Sequence, residues 1–68
     1  MPKMTLKAAR INAGLTQNDA AKKLNVSNKT LSNWENYIST PNANKIDAIC
    51  TLYNISYDNV IFFKQENA

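Results

Sequence analysis

Residues 14–36 read GLTQNDAAKKLNVSNKTLSNWEN, and this stretch decides the fold. Thr16 is a residue whose hydroxyl accepts from the unpaired amides of a first helical turn, and Asp19 stands three positions on, like the acidic partner of a capping box. Ala20, Ala21 and Leu24 then give a narrow apolar face, small enough at the two alanines for another helix to approach closely. Asn25 tolerates the left-handed conformation that ends a helix, Val26 plugs the bend, and Ser27 caps the next helix. On that next helix Leu31 and Trp34 fall on one side, while Asn28, Lys29, Ser32, Asn33 and Asn36 fall elsewhere. So short a turn forces the helices at 16–24 and 28–36 to cross steeply.

Working outward, Leu6, Ala9 and Ala13 make one apolar stripe on a helix at about 5–13, which Gly14 stops. After a loop at 37–40, Pro41 is favourable near a helix start, since its missing amide would have had no partner there. Ile46, Ile49, Cys50 and Tyr53 recur at the helical period, and Asn54 ends that fourth helix. Ser56 is placed to cap a last short helix in which Val60 faces inward and Ile61, Phe62 or Phe63 continue the apolar surface. Residues 64–68 form a polar tail. Strand signals are nearly absent. The expected fold is all-α, a compact bundle of five short helices in a single domain over 1–68, with its core at about 5–63.

Sixty-eight residues leave room for one domain, near the small end of what folds without disulfides or metals. Cys50 has no partner, which suits a reducing cytoplasm, and it reads as a small buried hydrophobe. With no histidine, the ordinary zinc patterns cannot be assembled. A single glycine excludes glycine-rich phosphate loops. These absences, with few acids and no expected deep pocket, argue against an enzyme, a cofactor or a metal. No apolar run is long enough for a signal peptide or a membrane span, so a cytoplasmic location and no membrane partner are expected.

The net charge of +3 is unevenly divided. Residues 1–34 carry six basic side chains against Asp19, a net of +5, whereas residues 35–68 carry two against four acids, a net of −2. Such a basic half is what a one-sided polyanion-binding surface looks like, and it is also what an ordinary solvated surface produces.

The chain resembles the Cro and repressor-like helix-turn-helix domains, also called the xenobiotic-response-element type. The resemblance runs over about 5–62 and rests on Arg10, on Gly-Leu-Thr-Gln at 14–17, on Ala20, Ala21, Leu24, Val26 and Ser27, on Leu31, Trp34, Glu35 and Asn36, and on Pro41, Ile49 and Ile55. It implies a lambda-repressor-like DNA-binding domain whose second and third helices form the reading unit. The physical case agrees, because the major groove of duplex DNA admits one α-helix and each base pair displays its own donors and acceptors there. Asn28 and Lys29 in the first turn of the third helix, with Ser32 and Asn33 further along, are the candidate base contacts: asparagine pairs with adenine N6 and N7, and lysine donates to guanine O6 and N7. The same residues also read simply as the solvated side of an amphipathic helix.

By the resemblance, Gln17 grips a phosphate while bracing the third helix, and helix N-termini favour phosphate in any case. Thr16, Lys22, Lys23, Thr30 and Asn36 are further candidates for phosphate contacts, with capping and solubility as their other reading. Arg10 is implied to pair with Glu35 as a structural tie between the first and third helices, against a rival role as a phosphate ligand. Trp34 reads as a packing anchor. Tyr37 stands where the family usually has glycine, so Asn36 is expected to take the left-handed angle instead.

The function implied is a sequence-specific regulator of transcription, a repressor or switch. One such domain covers few base pairs, so a homodimer on a double-stranded operator is implied, its contact drawn from 60–63 and the 37–40 loop, unless those side chains complete the monomer core. The rival is a protein-interaction module of the same fold, such as an antitoxin or an anti-repressor's partner.

Overall fold

A side-chain oxygen caps the start of each of four α-helices in the computed structural model, which describes residues 3–63. Thr5 accepts from the Ala8 amide at 3.1 Å at the head of α1 (Leu6–Asn12), and Thr16 accepts from Asp19 at 3.1 Å at the head of α2 (Gln17–Leu24). Ser27 accepts from Thr30 at 3.1 Å before α3 (Asn28–Glu35), and the Asn42 Oδ1 accepts from Lys45 at 2.9 Å before α4 (Ala43–Tyr53). Each cap satisfies one of the donors that a first turn leaves without a backbone partner. Pro41 therefore precedes the fourth cap and lies buried outside the helix.

The helix ends are equally uniform. The amides of Leu15, Val26, Ile38 and Ile55 each donate to the carbonyl five residues back, at 2.9–3.2 Å, closing four Schellman turns. The residue before each of these donors is left-handed: Gly14 (φ 78°), Asn25 (φ 60°), Tyr37 (φ 60°) and Asn54 (φ 54°). Glycine and asparagine tolerate that region, but tyrosine does so only under strain of roughly 1–3 kcal/mol. The expectation that Asn36 would take this angle is corrected, for Asn36 has φ −93°. A half-buried tie offsets the strain: the Tyr37 hydroxyl accepts from the Leu6 amide at 3.2 Å and donates to the Ile61 carbonyl at 2.8 Å.

The expected fifth helix is also corrected. Residues Tyr57–Asn59 form a single 3-10 turn to which Ser56 contributes no side-chain cap. The chain then straightens into β2 (Val60–Ile61), paired in parallel with β1 (Met4–Thr5), Met4 opposite Val60 and Thr5 opposite Ile61. Burial from Val60 to Phe63 alternates as a strand requires: Val60 and Phe62 are buried, Ile61 is half-buried and Phe63 is exposed. Two β-branched residues followed by two phenylalanines favour this extended course over a helical turn. The expected polar tail at 64–68 lies outside the described residues.

The core gathers Leu6 and Ala9 of α1, Ala20, Ala21 and Leu24 of α2, Leu31 and Trp34 of α3, and Ile49 and Tyr53 of α4, closed by Val60 and Phe62. Ala20 and Ala21 are almost fully buried, which is where small side chains let helices pack closely. Lys45 fastens α4 to the end of α2, its Nζ donating to the Leu24 carbonyl at 2.7 Å, where a cation meets the negative end of the helix dipole.

The Tyr37 tie gives a stability prediction. Tyr37→Phe keeps the backbone strain but leaves the Leu6 amide and Ile61 carbonyl without this partner, so unfolding free energy should fall by about 1–3 kcal/mol. In thermal denaturation that is a drop of at least about 4 °C for a domain of this size; an unchanged midpoint would show that the hydroxyl holds nothing.

Candidate nucleic-acid interface

The outer edge of α3 is set by what its inner face must bury. Leu31, Trp34 and Glu35 point into the molecule, so the positions between them turn outward. Asn28 and Lys29 are exposed in the first turn, Ser32 and Asn33 are half-buried one turn on, and Asn36 is exposed at the end. The Asn36 side-chain amide donates to the Ser32 hydroxyl at 3.3 Å, and the Ser27 and Thr30 hydroxyls lie 2.9 Å apart, leaving Thr30 half-buried beside the cap.

Behind this edge lies a buried ion pair. The Arg10 Nε donates to the Glu35 Oε2 at 2.7 Å, and its Nη2 to Oε1 at 3.4 Å. A third guanidinium nitrogen, Nη1, donates to the Leu15 carbonyl at 2.9 Å. The Gln17 Nε2 donates to the Glu35 Oε1 at 3.2 Å, so the first turn of α2 also fastens to the last turn of α3. A bidentate guanidinium–carboxylate pair is the arrangement that tolerates burial best, because geometry and hydrogen bonds satisfy both charges. Arg10 is thereby withdrawn from the positive charge displayed on the surface.

Among the other sequence-derived candidates, Thr16 is the exposed cap of α2, and Lys22 and Lys23 are exposed in its last turn. The α2 and α3 first turns come together at the surface, where the Asn28 Nδ2 donates to the Asn18 Oδ1 at 3.3 Å. Asn18 was not singled out by the sequence, since a polar residue early in a helix carries no signal beyond solvation. Trp34 is buried, with its ring in the core. Cys50 is half-buried rather than buried, and burial together with the Asp47 charge pushes its thiol pKa up. Among the described residues no group of three or more His, Cys, Asp or Glu side chains is placed to hold a metal ion, and no helix is long and apolar enough to cross a membrane.

The sequence model described as Helix-turn-helix matches residues 6–60. The chain belongs to the Cro/C1-type helix-turn-helix family. It is 45% identical over 53 residues to the HTH-type transcriptional regulator ImmR of Bacillus subtilis (strain 168), a match covering 78% of this chain and 42% of that protein. The chain thus spans less than half the length of this relative. No solved structure matches significantly.

Tyr53 reports on the ion pair. Its hydroxyl is buried without a hydrogen-bond partner, and its pKa is pushed up to about 12 by burial first and the Glu35 charge second, with Arg10 opposing. Because the folded pKa lies above the unfolded value near 10, this group's contribution is complete below about pH 10 and disappears as pH rises toward 12. Tyr53→Phe should therefore match or exceed the wild-type thermal midpoint at neutral pH and lose less of it between pH 10 and 12. Identical alkaline profiles for the two proteins would contradict a neutral phenol held in the core.

Proposed function

We propose that this helix-turn-helix chain is a sequence-specific regulator of transcription that binds double-stranded DNA, acting as a repressor of the phage Cro and repressor kind, in the xenobiotic-response-element group. The observation that carries the reading is the exposed polar edge of α3, with Asn28 and Lys29 at its head, on a helix whose opposite face is anchored by Leu31, Trp34 and the Arg10–Glu35 pair. In this reading α2 and α3 are the two helices of the motif, and α3 enters the major groove. Asn28, Lys29, Ser32 and Asn33 meet base edges, whereas Thr16, Gln17, Lys22, Lys23, Thr30 and Asn36 meet phosphates, which fix register without reading sequence. The family and the name of the Bacillus relative support the same function.

The reading includes a cytoplasmic, non-enzymatic protein that works through residues 5–63 as one reading domain. It also includes a two-fold dimer on half-sites about 34 Å apart. Val60 and Phe62 belong to the monomer core, so a dimer contact from this side of the molecule draws on Phe63, which is 48% exposed, and on Ile38 of the 37–40 loop, which is 73% exposed.

Binding to random duplex DNA should weaken steeply with salt as phosphate-bound counterions return. On the duplex selected by the protein from a random library, Asn28→Ala or Lys29→Ala should cost about 1–3 kcal/mol, with little effect on random duplex. Equal losses on both DNAs would contradict base reading, and weak, salt-insensitive binding would favour a protein partner.

A further inference from the structure

The turn that ends α3 is closed by a residue whose type does not favour the angle it takes. Tyr37 is left-handed at φ 60°, and its amide donates to the Trp34 carbonyl at 3.1 Å. Through that turn the amides of Ile38 and Ser39 both reach back to the Asn33 carbonyl, at 2.9 and 3.4 Å. Asn33 is half-buried and Asn36 exposed, so the turn closes on the backbone that carries the last polar side chains of the outward edge.

The angle is secured from the far side of the molecule. The Tyr37 hydroxyl accepts from Leu6, the residue after β1, at 3.2 Å, and donates to Ile61, the last residue of β2, at 2.8 Å. It stands at the end of the ladder that pairs Met4 with Val60 and Thr5 with Ile61, so a strap made near both ends of the described residues holds the residue that closes α3. The other three turns of this kind carry Gly14, Asn25 and Asn54, residue types that accept the left-handed region unaided. At Tyr37 the surroundings must impose it.

We infer that Tyr37 is a positioning residue: the β1–β2 strap, acting through its hydroxyl, keeps the last turn of α3 closed and so fixes Asn33 and Asn36 where they meet DNA. This rests on the DNA-binding function proposed above. Two substitutions separate the tie from the strain. Phenylalanine keeps the strain and loses the tie, which shifts the balance toward an open turn with the Asn33 and Trp34 carbonyls released. Glycine loses tie and strain together, so the turn closes by itself. Loss of stability alone would rank the two the other way, because glycine removes the whole ring and phenylalanine only its hydroxyl.

The test uses the intact chain and the duplex it selects from a random library, at a temperature well below every melting midpoint. Tyr37→Phe should bind that duplex about fivefold more weakly than the wild type, whereas Tyr37→Gly should bind within about twofold of it. In a background carrying Asn33→Ala and Asn36→Ala the Tyr37→Phe change should have no further effect, and in the Asn28→Ala background it should keep its full effect. Without DNA, the Ile38 and Ser39 amides should exchange with solvent faster in Tyr37→Phe than in the wild type or in Tyr37→Gly, with α2 unchanged. The inference is overturned if Tyr37→Phe binds as the wild type does, if Tyr37→Gly binds no better than Tyr37→Phe, or if the Phe effect survives loss of Asn33 and Asn36. A wild-type protein that selects no sequence would overturn the proposed function instead, and the exchange measurement would still decide whether the hydroxyl holds the turn.

Discussion

The structure depends on the buried pair between Arg10 and Glu35. The pair joins α1 to the last turn of α3, and the same guanidinium holds the Leu15 carbonyl in the loop between α1 and α2. Gln17 completes the carboxylate from the first turn of α2. Three helices therefore meet at one carboxyl group, and the loop meets the guanidinium paired with it. Its hydrogen bonds make burial of two charges tolerable, and removal of either partner would strand the other at a cost of about 3–5 kcal/mol. Small domains have a total stability of about 5–15 kcal/mol, so the pair is decisive for whether α3 has a defined position.

Given that anchor, the outward edge of α3 follows from periodicity. The helix is eight residues long, too short to persist alone in water, so it exists because caps and packing hold it. Ser27 satisfies its start, the turn through Tyr37 satisfies its end, and Leu31 and Trp34 fix its rotation. What remains outside is short, polar and rich in donors and acceptors, which is the chemistry a base edge can meet. The Tyr37 hydroxyl extends the same framework to the far end of the chain, linking the end of α3 to Leu6 and to β2.

Much of this was legible in the residues because it is local. Thr16 and Ser27 announce helix starts through their own hydroxyls, and Gly14, Asn25 and Asn54 announce ends through their tolerance of left-handed backbone. Tyr37 could not be read this way, since its angle is maintained by partners at residues 6 and 61 that only the fold supplies. The stretch after Asn59 does not declare itself a strand in the sequence, because four residues are too few to separate a period of 2 from one of 3.6, and its partner strand lies near the opposite end of the chain. At the interface the residue types on α3 were visible in sequence. The contact between Asn18 and Asn28 was not, because it arises from the angle at which α2 crosses α3.

The most direct measurement of the central claim is an amide chemical-shift titration of the isotopically labelled chain with the duplex it selects. The account predicts the largest changes at Asn28, Lys29, Ser32 and Asn33, with smaller ones at Thr16 and Gln17 and little change in the middle of α4. Changes centred on α4 or on the loop around Ile38, with the head of α3 unmoved, would contradict it.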